Sequence, residues 1–284
     1  MFWRSEPACP DLYYPAHKYS LRRLYDTTKL VAVDTIWEMQ LTGNTILITG
    51  GSVGIGYAMA ERFASGNIVI VCGRDEEKLR AAAERQPKLT TRVCDVADPK
   101  ERESLFDWAT NEFPTLNVLV NNAGIQRRVD LTTNEDWDVT RTEIAINLDA
   151  PIHLSRSFYP HLSSQNAAAI INVTSGLSFV PLANVPIYCA AKAALHSFTL
   201  SLRRQLRDSP VEVIEIIPPA VNTDLGGPGL HTFGVDLDEF ADAVFEGLAA
   251  GENEIAYGTA LLSSLASADE RTAIFEQLNK AFGS

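Results

Sequence analysis

Short runs of β-branched and aliphatic residues recur along this chain from Asn44 onward, separated by stretches of helical length. "TILIT" (45–49), "IVIVC" (68–72), "LTTRVC" (89–94), "NVLVN" (117–121), "AIINVT" (169–174) and "VEVIEII" (211–217) are almost continuously apolar. A strand that is apolar on both sides needs cover on both faces. The stretches 54–65, 75–86, 99–112, 134–162 and 187–207 read as the helices that supply it. This alternation predicts an α/β fold: a doubly wound parallel sheet of about seven strands, with right-handed crossovers and helices on both faces. A helix near 237–250, a short strand in "NEIAYG" and a terminal helix near 268–282 complete one domain over 39–284.

The chain before that domain differs in texture. Residues 1–38 mix Pro, Tyr and charges without a sustained period, and lack both a secretory apolar core and the acid-poor character of a transit peptide. They read as a dispensable extension. The net charge of −12 argues against nucleic acid and anionic membrane as partners. No apolar run is long enough to span a bilayer. Cys9, Cys72, Cys94 and Cys189 form no C-x-x-C pair and no metal-ligand spacing with histidine, so no metal is expected. Reduced thiols in a cytoplasmic protein are the simplest account.

"TGGSVGIG" (49–56) stands directly between the first strand and the first helix. Glycines at 50, 54 and 56 permit a tight turn, let backbone approach a pyrophosphate, and allow close helix–strand packing. The helix that follows offers free N–H groups and a positive dipole end to phosphates. The turn therefore marks a Rossmann-like dinucleotide site, with Gly50, Ser52, Gly54, Ile55 and Gly56 as candidate contacts.

A second feature poses a question of its own. "PIYCAAKAALHSF" sets Tyr188 one helical turn ahead of Lys192, in a run otherwise dominated by small and apolar residues. Alone, that pair is a common accident. The glycine spacing, however, resembles the short-chain dehydrogenase/reductase family, in the compact branch whose motif is T-G-x-x-x-G-x-G. Further motifs of that family follow in order: "CDV" (94–96), "NNAG" (121–124), "IAINLDA" around Asn147, "INVTSG" ending at Ser175 and Gly176, the Tyr188/Lys192 pair, and "PPAVNT" (218–223). The wording of these motifs is similar to bacterial oxidoreductases of the DltE type. The resemblance implies that Asp95 and Val96 lie beside adenine, and that Asn122, Ala123 and Gly124 line the cofactor. It also implies that Val221 and Thr223 cover the nicotinamide, where Pro219 departs from the family's usual glycine. Its catalytic set maps onto Asn147, Ser175, Tyr188 and Lys192, with Asn147 anchoring a water that links Lys192 to solvent.

The chemistry gives the tyrosine–lysine pair a reason. Moving a hydride between nicotinamide and a carbonyl carbon requires a proton to be given to, or taken from, the oxygen. A phenol with a pKa near 10 is a poor base at neutral pH. A cation one turn away in a partly desolvated site lowers it. Tyr188 is thus the expected acid/base, Lys192 the group that tunes it and grips the nicotinamide ribose, and Ser175 the hydroxyl that holds the substrate oxygen.

The ribose is read at the end of the second strand, where the chain has Cys72, Gly73, Arg74 and Asp75. With no acid at the strand end and Arg74 placed for a 2′-phosphate, NADP(H) is the favoured cofactor. Asp75 offers NAD(H) as the alternative, or simply caps the next helix. Glycine-rich "LGGPGLHTFG" after Asp224 fits a lid. Leu177, Val180, Leu225 and Leu230 would make an apolar pocket for a small carbonyl or alcohol. Long apolar helices at 134–162 and 187–207, as in relatives, suggest a homodimer or homotetramer. His153 and His161 read as surface or core residues, Cys189 as a small core residue, and His196 as a packing or subunit-contact residue. Two rivals stay open: cofactor-assisted epimerisation or dehydration, and NADP sensing without turnover.

Overall fold

In the computed structural model, residues 40–133 and 136–282 are described; the 1–38 extension lies outside them. Strands β1 (Thr45–Thr49), β2 (Ile68–Gly73), β3 (Leu89–Val93), β4 (Leu116–Asn121), β5 (Ala168–Val173), β6 (Val211–Ile217) and β7 (Glu254–Ala256) form a parallel sheet among the described residues. Their order is β3-β2-β1-β4-β5-β6-β7. The chain runs outward from β1 in one direction and from β4 in the other, so a crevice opens where these two strands end.

Why the strands are apolar throughout is visible in their alternation. Ile46 and Ile48 enter one core with Met59 and Phe63 of α1 (Gly54–Phe63), Leu79 of α2 (Glu76–Arg85), and Phe240 and Val244 of α7 (Leu237–Ala249). Leu47, between them, enters the opposite core with Leu105 of α3 (Pro99–Glu112) and Leu154 and Phe158 of α5 (Ala150–Leu162). Side chains along a strand point to opposite faces, so two layers of helices are needed.

The stretch expected as one helix over 134–162 divides into α4 (Trp137–Ile144), a π turn at Ala145–Asp149, and α5. Pro151 explains the break. Its nitrogen has no hydrogen to give the Asn147 carbonyl, and its ring crowds that carbonyl, so the chain opens into a wider turn. Helix α6 (Pro186–Leu206) follows β5.

Two C-terminal helices follow β7, the first of them not anticipated in the sequence. Helix α8 (Gly258–Leu265) begins at a glycine with φ of +55° and lies against the segment after Ser175. A Cβ on Gly176 would stand 3.0 Å from Ala260. Helix α9 (Ala268–Phe282) holds the 181–184 loop, with Asn279 accepting from Ala183 N at 2.6 Å and donating to the Pro181 carbonyl at 3.1 Å. No helix among the described residues is long and apolar enough to cross a membrane.

Phe158 is fully buried and meets Phe106 edge-on at 5.1 Å. Phe158→Ala should lower unfolding free energy by about 3–5 kcal/mol, read as a reduced urea midpoint with an unchanged slope.

Candidate active site

The glycine turn is fastened on two sides. Gly50 N and Gly51 N both donate to the Cys72 carbonyl, at 2.8 and 3.3 Å. On the other side, Asn122 donates through Nδ2 to the Thr49 and Gly50 carbonyls at 3.0 and 3.2 Å. Thr49 Oγ1 accepts from the N–H groups of Asn122 and Ala123, both at 3.0 Å. Gly50 and Gly54 have φ of +64° and +55°. A Cβ on Gly50 would stand 2.8 Å from Ala123 Cα, and one on Gly56 only 2.4 Å from the Gly50 carbonyl oxygen. Both positions exclude any larger residue. Helix α1 then begins after Val53, which gives it no side-chain cap, and has no acid in its first turn. Its free N–H groups face a glycine cradle, which is the arrangement a diphosphate needs.

The ribose end carries Arg74, exposed after β2, and Ser52, buried beside Gly73. Asp75 is engaged elsewhere: its carboxylate accepts from Lys78 N at 3.1 Å as the cap of α2 and pairs with Lys78 Nζ at 3.7 Å. Arg85 of α2 lies 3.8 Å over the Tyr57 ring and reaches the Ser52 carbonyl at 3.4 Å. Sequence reasoning missed this second cation because its approach depends on how α2 lies against α1. Asp95 accepts from Ala97 N at 2.9 Å, and buried Arg102 donates to the Val96 carbonyl, so the β3–α3 corner is held from α3.

Beyond β5 the expected catalytic residues come together. Asn147, in the π turn, is fully buried and is tied to Ile125 in both directions, donating to its carbonyl at 2.8 Å and accepting from its N–H at 2.9 Å. A Cβ on Gly124 would sit 3.3 Å from Asn147 Oδ1 and 3.7 Å from Lys192 Nζ. Lys192 donates to the Val173 carbonyl at 2.7 Å and stands 5.8 Å from the centre of the Tyr188 ring. Ser175 accepts from Leu177 N at 3.1 Å, and its hydroxyl faces the Tyr188 phenol. Thr223 lies over Gly54, 3.5 Å from where its Cβ would be, and Val221 is buried and bridged to Val235.

The electrostatics depart from the simple expectation for the pair. Burial pushes the Tyr188 phenol above its ordinary value, and the Ser175 hydrogen bond acts in the opposite direction. Burial also lowers the Lys192 ammonium to about 8. Desolvation disfavours both charged forms here, so the protein's own groups keep Tyr188 a neutral phenol.

Leu177, Leu182 and Leu225 pack around Val185, Tyr188 and Cys189. Val180 is buried and Leu230 is largely exposed. Behind the site lies a polar chain that the sequence reading passed over. Asn121 donates to Asn172 Oδ1 at 2.9 Å and to Ser155 Oγ at 3.1 Å, and Asn172 donates to Thr199 Oγ1 at 2.9 Å. Its signal was an asparagine at or near the carboxyl end of each of two largely apolar strands. His196 is not a plain packing residue: its Nδ1 lies 2.9 Å from both oxygens of fully buried Glu215, which also accepts from Thr174 Oγ1 at 2.6 Å. His153 accepts from Arg102 Nε at 2.9 Å, and Cys189 packs against Leu182. No cluster of His, Cys, Asp and Glu among the described residues could hold a metal ion.

Residues 44–230 match the short chain dehydrogenase family. The chain belongs to that family of oxidoreductases. It is 48% identical over 248 residues to the uncharacterized oxidoreductase DltE of Bacillus subtilis, covering 85% of this chain and 98% of the relative. A short chain dehydrogenase of Burkholderia cenocepacia, solved in complex with NADP, superposes with a TM-score of 0.74 at 27% identity, over 84% of this chain and 99% of the other. A short-chain dehydrogenase/reductase of Burkholderia phymatum, solved in complex with NAD, shares the fold at 23% identity with a TM-score of 0.73, over 82% and 95% of the two chains.

The Glu215–His196 pair has a consequence for stability. The buried carboxylate is the largest influence on His196 and raises its pKa above the ordinary 6.5. The charged imidazole therefore stabilises the fold fully below about pH 6.5, and that contribution fades as pH rises through the folded-state value. The urea midpoint of His196→Gln should fall furthest below wild type at low pH, the gap narrowing toward alkaline pH.

Proposed function

We propose that this chain catalyses NADP(H)-dependent reduction of a small, largely apolar carbonyl compound, or the reverse alcohol oxidation. The observation that carries this reading is the meeting of Asn147, Ser175, Tyr188 and Lys192 beside a glycine cradle that a single Cβ would fill. The glycines at 50, 54 and 56 and the open start of α1 would hold the diphosphate. Asp95 and Val96 would flank the adenine. Ile55, Asn122, Ala123, Gly124, Val221 and Thr223 would line the remainder, and Lys192 would hold the nicotinamide ribose.

When bound, the nicotinamide supplies or accepts the hydride. The residues of the chain manage the oxygen and the proton. Ser175 would orient the substrate oxygen, and Tyr188 would give it a proton as hydride arrives at carbon, or remove one in the reverse direction. Burial keeps Tyr188 a phenol, the form that carries the proton reduction needs, while making it a weaker acid. The positive charge of the oxidised nicotinamide would stabilise the phenolate needed in reverse. Asn147 would position a water that returns protons to Lys192.

The preference for NADP(H) is supported by Arg74 exposed after β2, by Arg85 at the Ser52 carbonyl, and by Asp75 being committed to Lys78. A cytoplasmic homodimer or homotetramer accords with buried free Cys72, Cys94 and Cys189, and with exposed Trp137, Leu200, Leu262 and Leu265.

Titration with NADPH and NADH, followed by nucleotide fluorescence, tests the assignment. Arg74→Ala and Arg85→Ala should each weaken NADPH roughly tenfold or more while sparing NADH; equal binding of both nucleotides by the wild type would refute the 2′-phosphate reading. In a screen of ketones and aldehydes with NADPH, Tyr188→Phe should lose at least roughly a hundredfold in kcat. If the wild type binds NADPH but turns over no carbonyl, the chain is a sensor of the nucleotide and the enzymatic reading fails.

A further inference from the structure

One buried ionisable group beside the site has no place in the chemistry above. Glu143 lies on α4, four residues before Asn147, and is fully buried. Neither of its carboxyl oxygens meets a donor in hydrogen-bond geometry, the nearby Arg127 N–H included. A bare carboxylate in such a place is costly unless it is paired, and the usual outcome is that the group keeps its proton. The surroundings do little to change this. From the segment after β4, the Arg127 backbone N–H and side-chain charge favour the ionised form, but burial outweighs them and raises the Glu143 carboxyl to about 7. The Arg127 guanidinium is itself used on the Val139 carbonyl. From α6, the groups that feel Glu143 are Tyr188 and Cys189, and its charge raises the pKa of both. Elsewhere on α4, Arg141 is paired with Asp138 at the surface.

We infer that Glu143 is a positioning residue for Tyr188: a buried carboxyl, packed between α4 and α6, that leaves proton donation free while it is neutral and brakes it once charged. The inference rests on the assignment of Tyr188 as the acid. A negative charge near the phenol makes it a weaker proton donor, so carbonyl reduction slows as Glu143 loses its proton. Asn147 and Glu143 then act on Tyr188 from adjoining turns of the chain. Asn147 serves the route by which protons return, and Glu143 sets the pH at which the acid can use them.

The test pairs a readout that needs no substrate with one that does. Selective ¹³C labelling of glutamate side chains, with Glu143→Gln to assign the resonance, should reveal a carboxyl titrating near neutral pH. A Glu143 resonance already ionised at pH 5 overturns the inference, whatever the activity. In NADPH-dependent carbonyl reduction, kcat should fall in the wild type as pH rises through about 7. In Glu143→Gln the fall should wait for Lys192 to lose its proton near 8. At pH 8 the variant should keep roughly threefold more of its pH 6 rate than wild type does. Glu143→Asp, which keeps a titrating group, should restore the wild-type profile. Superimposable profiles for wild type and Glu143→Gln, with both proteins folded and active, also overturn it. Absence of turnover with every carbonyl, beside a resonance that titrates near 7, counts against Tyr188 as the acid and so removes the role for Glu143 while leaving its buried proton established.

Discussion

The junction of β1 and β4 is the constraint on which the rest of the site depends. Two parallel strands that diverge in connection leave their carboxyl ends with unpaired backbone groups and a gap between the following segments. Thr49 Oγ1 closes that gap by accepting two N–H groups from Asn122 and Ala123, while Asn122 returns two bonds to the glycine turn. The turn is therefore held to β4 as firmly as to β2, and the approach is so close that Gly50 and Gly56 can carry no side chain. A phosphate cradle must be rigid before the ligand arrives, since ordering it afterwards would cost binding energy.

The second requirement is a place where a lysine and a tyrosine can be buried together without collapsing into ordinary packing. The π turn at Ala145–Asp149 provides one. By widening the helix ahead of Pro151, it sets Asn147 against Ile125, while Lys192 donates to the Val173 carbonyl. The lysine retains hydrogens for other partners. Behind it, Asn121, Asn172, Ser155 and Thr199 satisfy one another across β4, β5, α5 and α6, which joins these four elements by fixed polar contacts rather than adaptable apolar ones.

Burial thus acts on the site in more than one way. It makes Tyr188 a weaker acid, Lys192 a weaker base and Glu143 a carboxyl that keeps its proton near neutrality. Each shift raises the cost of charge inside the site, and each is relieved only by charge brought in from outside. His196 and Glu215 show the contrasting solution, in which a buried carboxylate meets its own cation within the fold.

Much of this was readable in the chain. Continuous apolar runs such as "TILIT" and "VEVIEII" stated their length, their two-sided burial and hence the doubly wound sheet, because a period-two pattern with both faces apolar has few other resting places. The spacing of Gly50, Gly54 and Gly56, and of Ser175, Tyr188 and Lys192, is local or nearly so, and local spacing survives folding. What the chain alone did not reveal depends on neighbours far away in sequence. Arg85 reaches Ser52 across 33 residues, and α8 lies against Gly176 from the far end of the domain. Glu143 looks like any surface acid in "RTEIAIN"; only the fold removes its water and leaves its carboxyl oxygens outside hydrogen-bond geometry. Residue type and spacing determined which groups could do chemistry, and tertiary burial decided their protonation, because desolvation is a property of the surroundings and not of the chain.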